Sequence, residues 1–400
     1  MGLNDTASAE RLHIGFFGLR NAGKSSLVNA VTGQQLSVVS DIKGTTTDPV
    51  AKTMELLPLG PVVIIDTPGL DDEGELGILR VQKARQILDK TDIAVVVIDA
   101  QAGMGELDKQ LLKEIESRKK PYIIAYNKVD LTNEINQSDN NKVWVSAKSG
   151  AGVSQLKDTL GKFSSLTKNE KSIISDLIHS GDTVVLVTPV DEAAPKGRLI
   201  LPQTLTIREL LDAHASAFVC QPEELKSVLG MLGRKPAMVV TDSQAFGRVN
   251  KDTPSDIPLT SFSILMARYK GNLESQVKGA SKLSKLKEGD RVLVSEGCTH
   301  HRQCQDIGTI KIPRWIQEFC GAKPDFVFTS GGEFPEDLSG FALAVHCGGC
   351  MLNETAMKNR IDRCCAFGLP VVNYGIAIAH MHGILRRSVE MFPEIVRLLD

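Results

Sequence analysis

The sequence predicts an α/β protein of three domains, an N-terminal P-loop G domain followed by two smaller α/β domains. Three observations predict it. A phosphate-binding loop, Gly18-Leu19-Arg20-Asn21-Ala22-Gly23-Lys24-Ser25, lies between the strand-like Leu12–Gly18 and the helix-like Ser25–Val31. Short apolar runs bounded by turn residues recur along all 400 residues, a length beyond one typical domain, and 42% hydrophobic content supplies real cores. All eight cysteines fall in the second half, three of them beside the ends of such runs. The expected boundaries are 1–168, 169–268 and 269–400.

Composition narrows the function. A net charge of −2 leaves no strong positive field for nucleic acid or an anionic membrane, and 5% aromatic residues offer little base-stacking surface. No apolar run reaches membrane-spanning length, and the first residues lack a signal core, so a cytoplasmic protein is expected. The cysteines are too sparse for a secreted disulfide framework; reduced thiols, some serving as metal ligands, fit better.

In the first domain the glycines let backbone N–H groups close around phosphates, Lys24 neutralises the β- and γ-phosphates, and the Ser25 hydroxyl takes a Mg²⁺ position. Asn21, Ala22, Gly23 and Ser26 complete the expected cradle. Val62–Ile65 reads as a strand delivering Asp66-Thr67-Pro68-Gly69. There Asp66 can hold Mg²⁺ through water and the Gly69 N–H can sense the γ-phosphate. Pro121–Tyr126 is a buried strand ending in Asn127-Lys128-Val129-Asp130. A carboxylate at 130 can accept both N–H groups of the guanine N1/N2 edge, which selects GTP over ATP. Val143–Val145 leads to Ser146-Ala147-Lys148, whose backbone can meet guanine O6. These groups all sit at strand C-termini, where a doubly wound sheet binds its ligand. The residue after Asp-Thr-Pro-Gly is Leu70, so a water-orienting glutamine is missing and slow hydrolysis is expected.

The middle region, from Gly181 to Tyr269, alternates short strands (Asp182–Thr188, Ala237–Thr241) with helices (Thr206–Ala213, Pro222–Leu232) and carries no catalytic constellation. It reads as an interface, and a homodimer is expected. His214 and Cys220 read as packing residues. The last region has strands at Asp290–Ser295, Pro324–Ser330, Leu343–His346 and Pro370–Asn373, then one helix over Ile376–Val389 bearing His380 and His382. Cys298-Thr299-His300 lies beyond the first strand, and Cys347-Gly348-Gly349-Cys350 beyond the third. Cys298, Cys347 and Cys350 supply three thiolates. With a histidine they would suit tetrahedral zinc; alone they would hold three irons of a [4Fe–4S] cube, leaving one iron for His300, His346 or Asp306. Thiolate chemistry leaves zinc and iron–sulfur both open. Cys304, Cys320, Cys364 and Cys365 read as structural.

The first-domain motifs resemble the Era-like group and the tRNA-modification GTPases. Matching their Gly-Thr-Thr pattern at Gly44-Thr45-Thr46-Thr47 implies Thr46 as the switch I ligand to Mg²⁺. Asn21 matches the loop asparagine of potassium-activated members, where its oxygen and switch I carbonyls, near Ser40 and Ile42 here, hold K⁺ in place of an arginine finger. The ordered pair of such a G domain and then Cys-x-His with a distant His-Cys-x-x-Cys resembles the HydF family of [FeFe]-hydrogenase maturation GTPases over essentially the whole chain. That resemblance implies a GTPase scaffold and carrier with GTP, Mg²⁺, K⁺ and a [4Fe–4S] cluster. It implies a G domain, a dimerisation domain and a cluster domain, with Cys298, Cys347 and Cys350 as cluster thiolates. It also implies radical-SAM enzymes that supply a di-iron precursor and an apo-[FeFe]-hydrogenase that receives it. A zinc-stabilised GTPase assisting RNA or ribosome assembly is the alternative, against which the missing basic patch counts.

Overall fold

The computed structural model describes residues 7–33, 50–69, 75–132, 139, 141–167, 171–190, 199–298 and 306–399. The expectations placed on Ser40, Ile42, Thr46, Leu70, His300 and Cys304 lie outside the described residues. The chain divides into two compact units, 1–169 and 170–400. Among the described residues no helix is long and apolar enough to cross a membrane.

The first unit runs β1 (Leu12–Phe17), α1 (Lys24–Thr32), β2 (Val50–Leu56), β3 (Gly60–Asp66), α2 (Glu75–Lys90), β4 (Ile93–Asp99), α3 (Glu106–Ser117), β5 (Tyr122–Asn127), β6 (Lys142–Trp144) and α4 (Val153–Gly161). One sheet forms in the order β2-β3-β1-β4-β5-β6, parallel except for the β2–β3 pair. Apolar residues on both faces of β1, β3 and β4 explain the doubly covered parallel sheet. Ile14, Phe16, Ile64 and Val95 pack on one face against Leu27 of α1 and Leu156 of α4. Phe17, Ile65, Val96 and Ile98 pack on the other against Leu88 of α2 and Ile115 of α3. The period-2 alternation along each strand divides the residues between the two cores. In β2 most residues alternate between half-buried and exposed, as an edge strand tolerates. The parallel arrangement brings the C-termini of β1, β3 and β5 to one rim.

Lys120, just before β5, is buried and donates from Nζ to the Thr91 carbonyl at 2.6 Å. Burial lowers it to about 8 from the usual 10.5 of a lysine, with Asp92 and Asp89 opposing. The unfolded chain therefore binds more protons between these values, so stability rises with pH from about 8 toward 10.5 and is penalised below. Thermal unfolding of the chain should show this rise, and Lys120→Met should remove it. Parallel pH profiles for the two proteins would contradict the assignment.

The second unit runs β7 (Thr183–Val187), α5 (Leu201–Asp212), β8 (Ser216–Cys220), α6 (Leu225–Met231), β9 (Met238–Thr241), α7 (Phe246–Asp252), β10 (Leu259–Ser261), α8 (Phe262–Lys270) and α9 (Leu273–Ala280). It continues with β11 (Arg291–Ser295), α10 (Ile312–Cys320), β12 (Asp325–Thr329), β13 (Leu343–His346), α11 (Glu354–Ala366), β14 (Val371–Asn373), α12 (Tyr374–Met381), α13 (Leu385–Ser388) and α14 (Pro393–Val396). Two four-stranded parallel sheets form, β10-β9-β7-β8 and β12-β11-β13-β14. They share one core. Val185, Val239 and Leu259 of the first sheet and Val292, Val294 and Val345 of the second join Phe262 and Leu265 of α8, Val277 of α9 and Ile376 of α12. The opposite face of the second sheet, with Leu293 and Ala344, packs on Met357, Ile361 and Cys364 of α11.

One expectation is corrected. The single helix over Ile376–Val389 is two helices, α12 and α13, separated by a turn in which Gly383 adopts φ +70°. A left-handed residue ends a helix, and glycine adopts it without a side-chain clash. His380 packs edge-on against Phe319, with ring centroids 5.5 Å apart. Cys220 is buried and its thiol is pushed up to about 11, as suits a packing residue.

Candidate nucleotide site and metal centre

The rim of the first sheet gathers the nucleotide motifs. Lys24 opens α1, is buried, and donates from Nζ to the Gly18 carbonyl at 3.0 Å and the Leu19 carbonyl at 2.8 Å. The loop thus folds its own cation over the space that its backbone encloses. Ser25 Oγ donates to Asp66 Oδ2 at 2.5 Å, which sets the hydroxyl expected to take Mg²⁺ against the carboxylate expected to hold it. Asp66 is fully buried at the end of β3, and Thr67 Oγ1 ties the next residue to the Phe16 carbonyl at 2.6 Å.

Asn127 joins the two halves of the site. Its Nδ2 donates to the Ala22 carbonyl at 3.0 Å, and its Oδ1 accepts from the Ala147 N–H at 3.0 Å. Gly23 has φ +85°, and a Cβ there would lie 2.3 Å from Asn127 Nδ2, so both backbone and space demand glycine. Ser146 Oγ donates to Asp130 Oδ1 at 2.6 Å and aims the exposed carboxylate. Lys128, at φ +68°, pairs with Asp99 at 2.7 Å. Lys148 is exposed. Asn21 is exposed at φ +61°.

At the rim of the last sheet, β11 and β13 pair in parallel with Ser295 opposite His346, so the segments after them emerge side by side. They touch: a Cβ on Gly297 would lie 2.8 Å from Leu352 Cγ and 3.6 Å from Gly349 Cα. This contact brings Cys298 to Cys347 and Cys350. Burial, then Cys347 and Cys350, push the Cys298 thiol up to about 12. Cys347 is pushed up to about 11 by burial, against the N–H groups of Gly297 at 3.0 Å and Gly349 at 3.4 Å, which donate to its Sγ. Burial also raises Cys350. Thiols held neutral by burial and offered N–H donors suit a cationic metal centre, whose charge deprotonates them outright. Among the described residues no group of three or more His, Cys, Asp and Glu side chains closes to metal-binding geometry.

The candidate fourth ligands fare differently. His346 is buried with both ring nitrogens engaged in hydrogen bonds. Nε2 accepts from Arg360 at 2.9 Å and Nδ1 donates to the Cys347 carbonyl at 2.8 Å. Burial and then Arg360 lower it to about 3, so the ring is neutral and acts as a strut for the cysteine loop. Asp306 is buried and accepts from Thr309 N and Oγ1, both at 2.8 Å, capping the turn Ile307–Lys311.

The residue that sequence reasoning missed is Glu296. It is 4% exposed, raises the thiols of Cys298 and Cys347, and accepts from Tyr374 Oη at 3.5 Å. Its signal in the sequence was faint: an acidic residue just past the apolar strand β11, two before a cysteine.

A P-loop sheet with a guanine-type strand end, joined to a unit that presents three thiols at a second rim, defines a GTPase-fold protein with a candidate metal centre. Three family models match the chain in order: 50S ribosome-binding GTPase over 13–128, Hydrogen maturase F dimerization domain over 173–271, and Hydrogen maturase F tetramerization domain over 274–391. The chain belongs to the hydrogen maturase F family. GTPase Der of Kosmotoga olearia is 33% identical over 170 residues, 38% of this chain and 38% of that protein. The tRNA modification GTPase MnmE of Acetivibrio thermocellus is 28% identical over 207 residues, 49% of this chain and 44% of that one. The chain thus spans about two fifths of the length of the curated relatives it matches. Among solved structures, Aquifex aeolicus Era bound to GDP.AlF4- is similar over 55% of this chain and 98% of its own, with TM-score 0.35 and 19% identity.

Proposed function

We propose that this protein is a slow, guanine-selective GTPase that carries a [4Fe–4S] cluster and passes a di-iron precursor to an apo-[FeFe]-hydrogenase. What supports this reading is the parallel pairing of β11 and β13, which sets Cys298 near the loop bearing Cys347 and Cys350, in a chain whose family is hydrogen maturase F. A cluster held there would present one iron without a cysteine, the natural attachment point for an incoming unit. Glu296 is the described carboxylate whose charge reaches Cys298 and Cys347, and Asp306, His346 and, outside the described residues, His300 are the further candidates for that role. Radical-SAM enzymes would supply the precursor, and self-association through 173–271 and 274–391 would form the scaffold. The zinc-GTPase alternative is not favoured, because both domains after the G domain match maturase models.

For hydrolysis, Lys24 neutralises phosphate charge, Ser25 and Thr46 bind Mg²⁺ with Asp66 behind, and Gly69 follows the γ-phosphate. Asn127, Asp130, Ser146, Ala147 and Lys148 hold guanine. Asn21 offers its side-chain oxygen to K⁺, which supplies the charge of an arginine finger. Turnover should therefore rise when K⁺ replaces Na⁺ at equal ionic strength, and Asn21→Ala should flatten the response. Equal rates in the two salts would remove the potassium assignment. Anaerobic reconstitution with iron, sulfide and EPR analysis tests the cluster itself; stoichiometric zinc without iron would overturn it.

A further inference from the structure

Lys270, the last residue of α8, is 2% exposed. Lysine is almost never this buried unless its charge is compensated. Its Nζ donates to the Leu352 carbonyl at 3.1 Å, on the segment that carries Cys347 and Cys350. Leu352 stands two residues past Cys350, so the bond sets the ammonium beside the loop that bears this thiol. Glu296, itself buried, directly follows β11, two residues before Cys298. A cation is thus tied to the segment after β13 and a carboxylate to the segment after β11. Neither nucleotide binding nor ligation uses Lys270.

We propose that Lys270 is a built-in counter-charge for the thiolate-held cluster, a positioning residue that favours the centre's uptake of an electron. The inference rests on the cluster reading above. An iron core bound by three thiolates becomes more negative on reduction. A fixed cation in a water-poor site stabilises that added charge far more than a solvated one would. The bond to Leu352 holds the ammonium on the Cys350 side whichever oxidation state is present.

The test uses the full chain, reconstituted anaerobically, in four forms: unmodified, Lys270→Gln, Lys270→Met and Lys270→Arg. Glutamine keeps a donor for Leu352 and loses the charge; arginine keeps the charge. Iron and sulfide content are measured first, then a redox titration is followed by the EPR signal of the reduced cluster. At a fixed poise the Gln form should show a reduced-to-oxidised ratio about tenfold lower than the unmodified chain, which is about 59 mV for one electron. The Arg form should stay within about threefold, with iron content equal in both. If the unmodified chain takes up no iron, the cluster reading itself fails. If it takes up iron and the Gln form titrates as it does, the cluster stands and the counter-charge is overturned. An Arg form that shifts as far as the Gln form also overturns it, because geometry and not charge would then be responsible. Where the Gln form does not fold, the Met form replaces it with the same expectation; if neither folds, Lys270 is a structural strut and the proposal falls.

Discussion

Replacing Cys347 by Ala should leave the anaerobically reconstituted chain without its [4Fe–4S] EPR signal, with iron falling from about four per chain to background. The expected loss is complete because, among the described residues, only three thiols lie near this rim, and Cys347 is the one that the N–H groups of Gly297 and Gly349 address. Removing it leaves two anchors and two misdirected donors. Cys298→Ala and Cys350→Ala should behave alike. Cys364→Ala is the control: this thiol is 1% exposed in the core on α11, raised to about 12 by burial first, and its loss should cost stability but no iron. Glu296→Gln should keep the cluster and change its line shape, since water can replace a terminal oxygen ligand. A Cys347→Ala protein that retains full iron would refute the ligand assignment, whatever its GTPase rate.

Asp130→Asn should lower affinity for GTP about ten- to a hundredfold, and it should also abolish the preference over ATP. In the proposed site the carboxylate would accept two N–H groups from guanine, and hydrogen bonds to a charged group are each worth about 1.5–3 kcal/mol. An amide would offer a donor to one of those N–H groups instead. Ser146 Oγ, 2.6 Å from the carboxylate, can still position the amide oxygen, so the loop should keep its shape. Xanthosine triphosphate separates lost recognition from lost folding: its base has a carbonyl where guanine has the amino group, so the Asn form should bind it better than the unmodified chain does. Unchanged selectivity for GTP in the Asn form would sink the role of Asp130.

Much of the nucleotide site was legible because its parts are local. The loop from Gly18 to Ser25, the aspartate closing β3 and the run Asn127–Asp130 each carry their chemistry within a few residues of a strand end. A doubly wound sheet brings such ends together without further instruction. The bonds from Asn127 to Ala22 and Ala147 were not legible, since they join the end of β5 to two loops far from it in sequence. In the last domain the strand Leu343–His346 was read with its observed bounds, because four apolar-rich residues followed by Cys-Gly-Gly-Cys leave little choice. The break in the final helix was missed because Gly383 lies within an otherwise apolar, helix-compatible run, and only its left-handed backbone ends α12.

By itself the sequence determined the fold class, the phosphate loop, the guanine-type strand end and the three thiols, since each follows from residue type and short-range spacing. Only the tertiary structure decided what surrounds those thiols. His346 sits in the same segment as Cys347, yet Arg360 and a backbone carbonyl take both of its nitrogens. Glu296 and Lys270 belong to no motif, yet packing sets one beside Cys298 and Cys347 and the other beside Cys350. The physical reason is that a buried charge is tolerated only where distant parts of the chain compensate it, and such compensation has no sequence period to read.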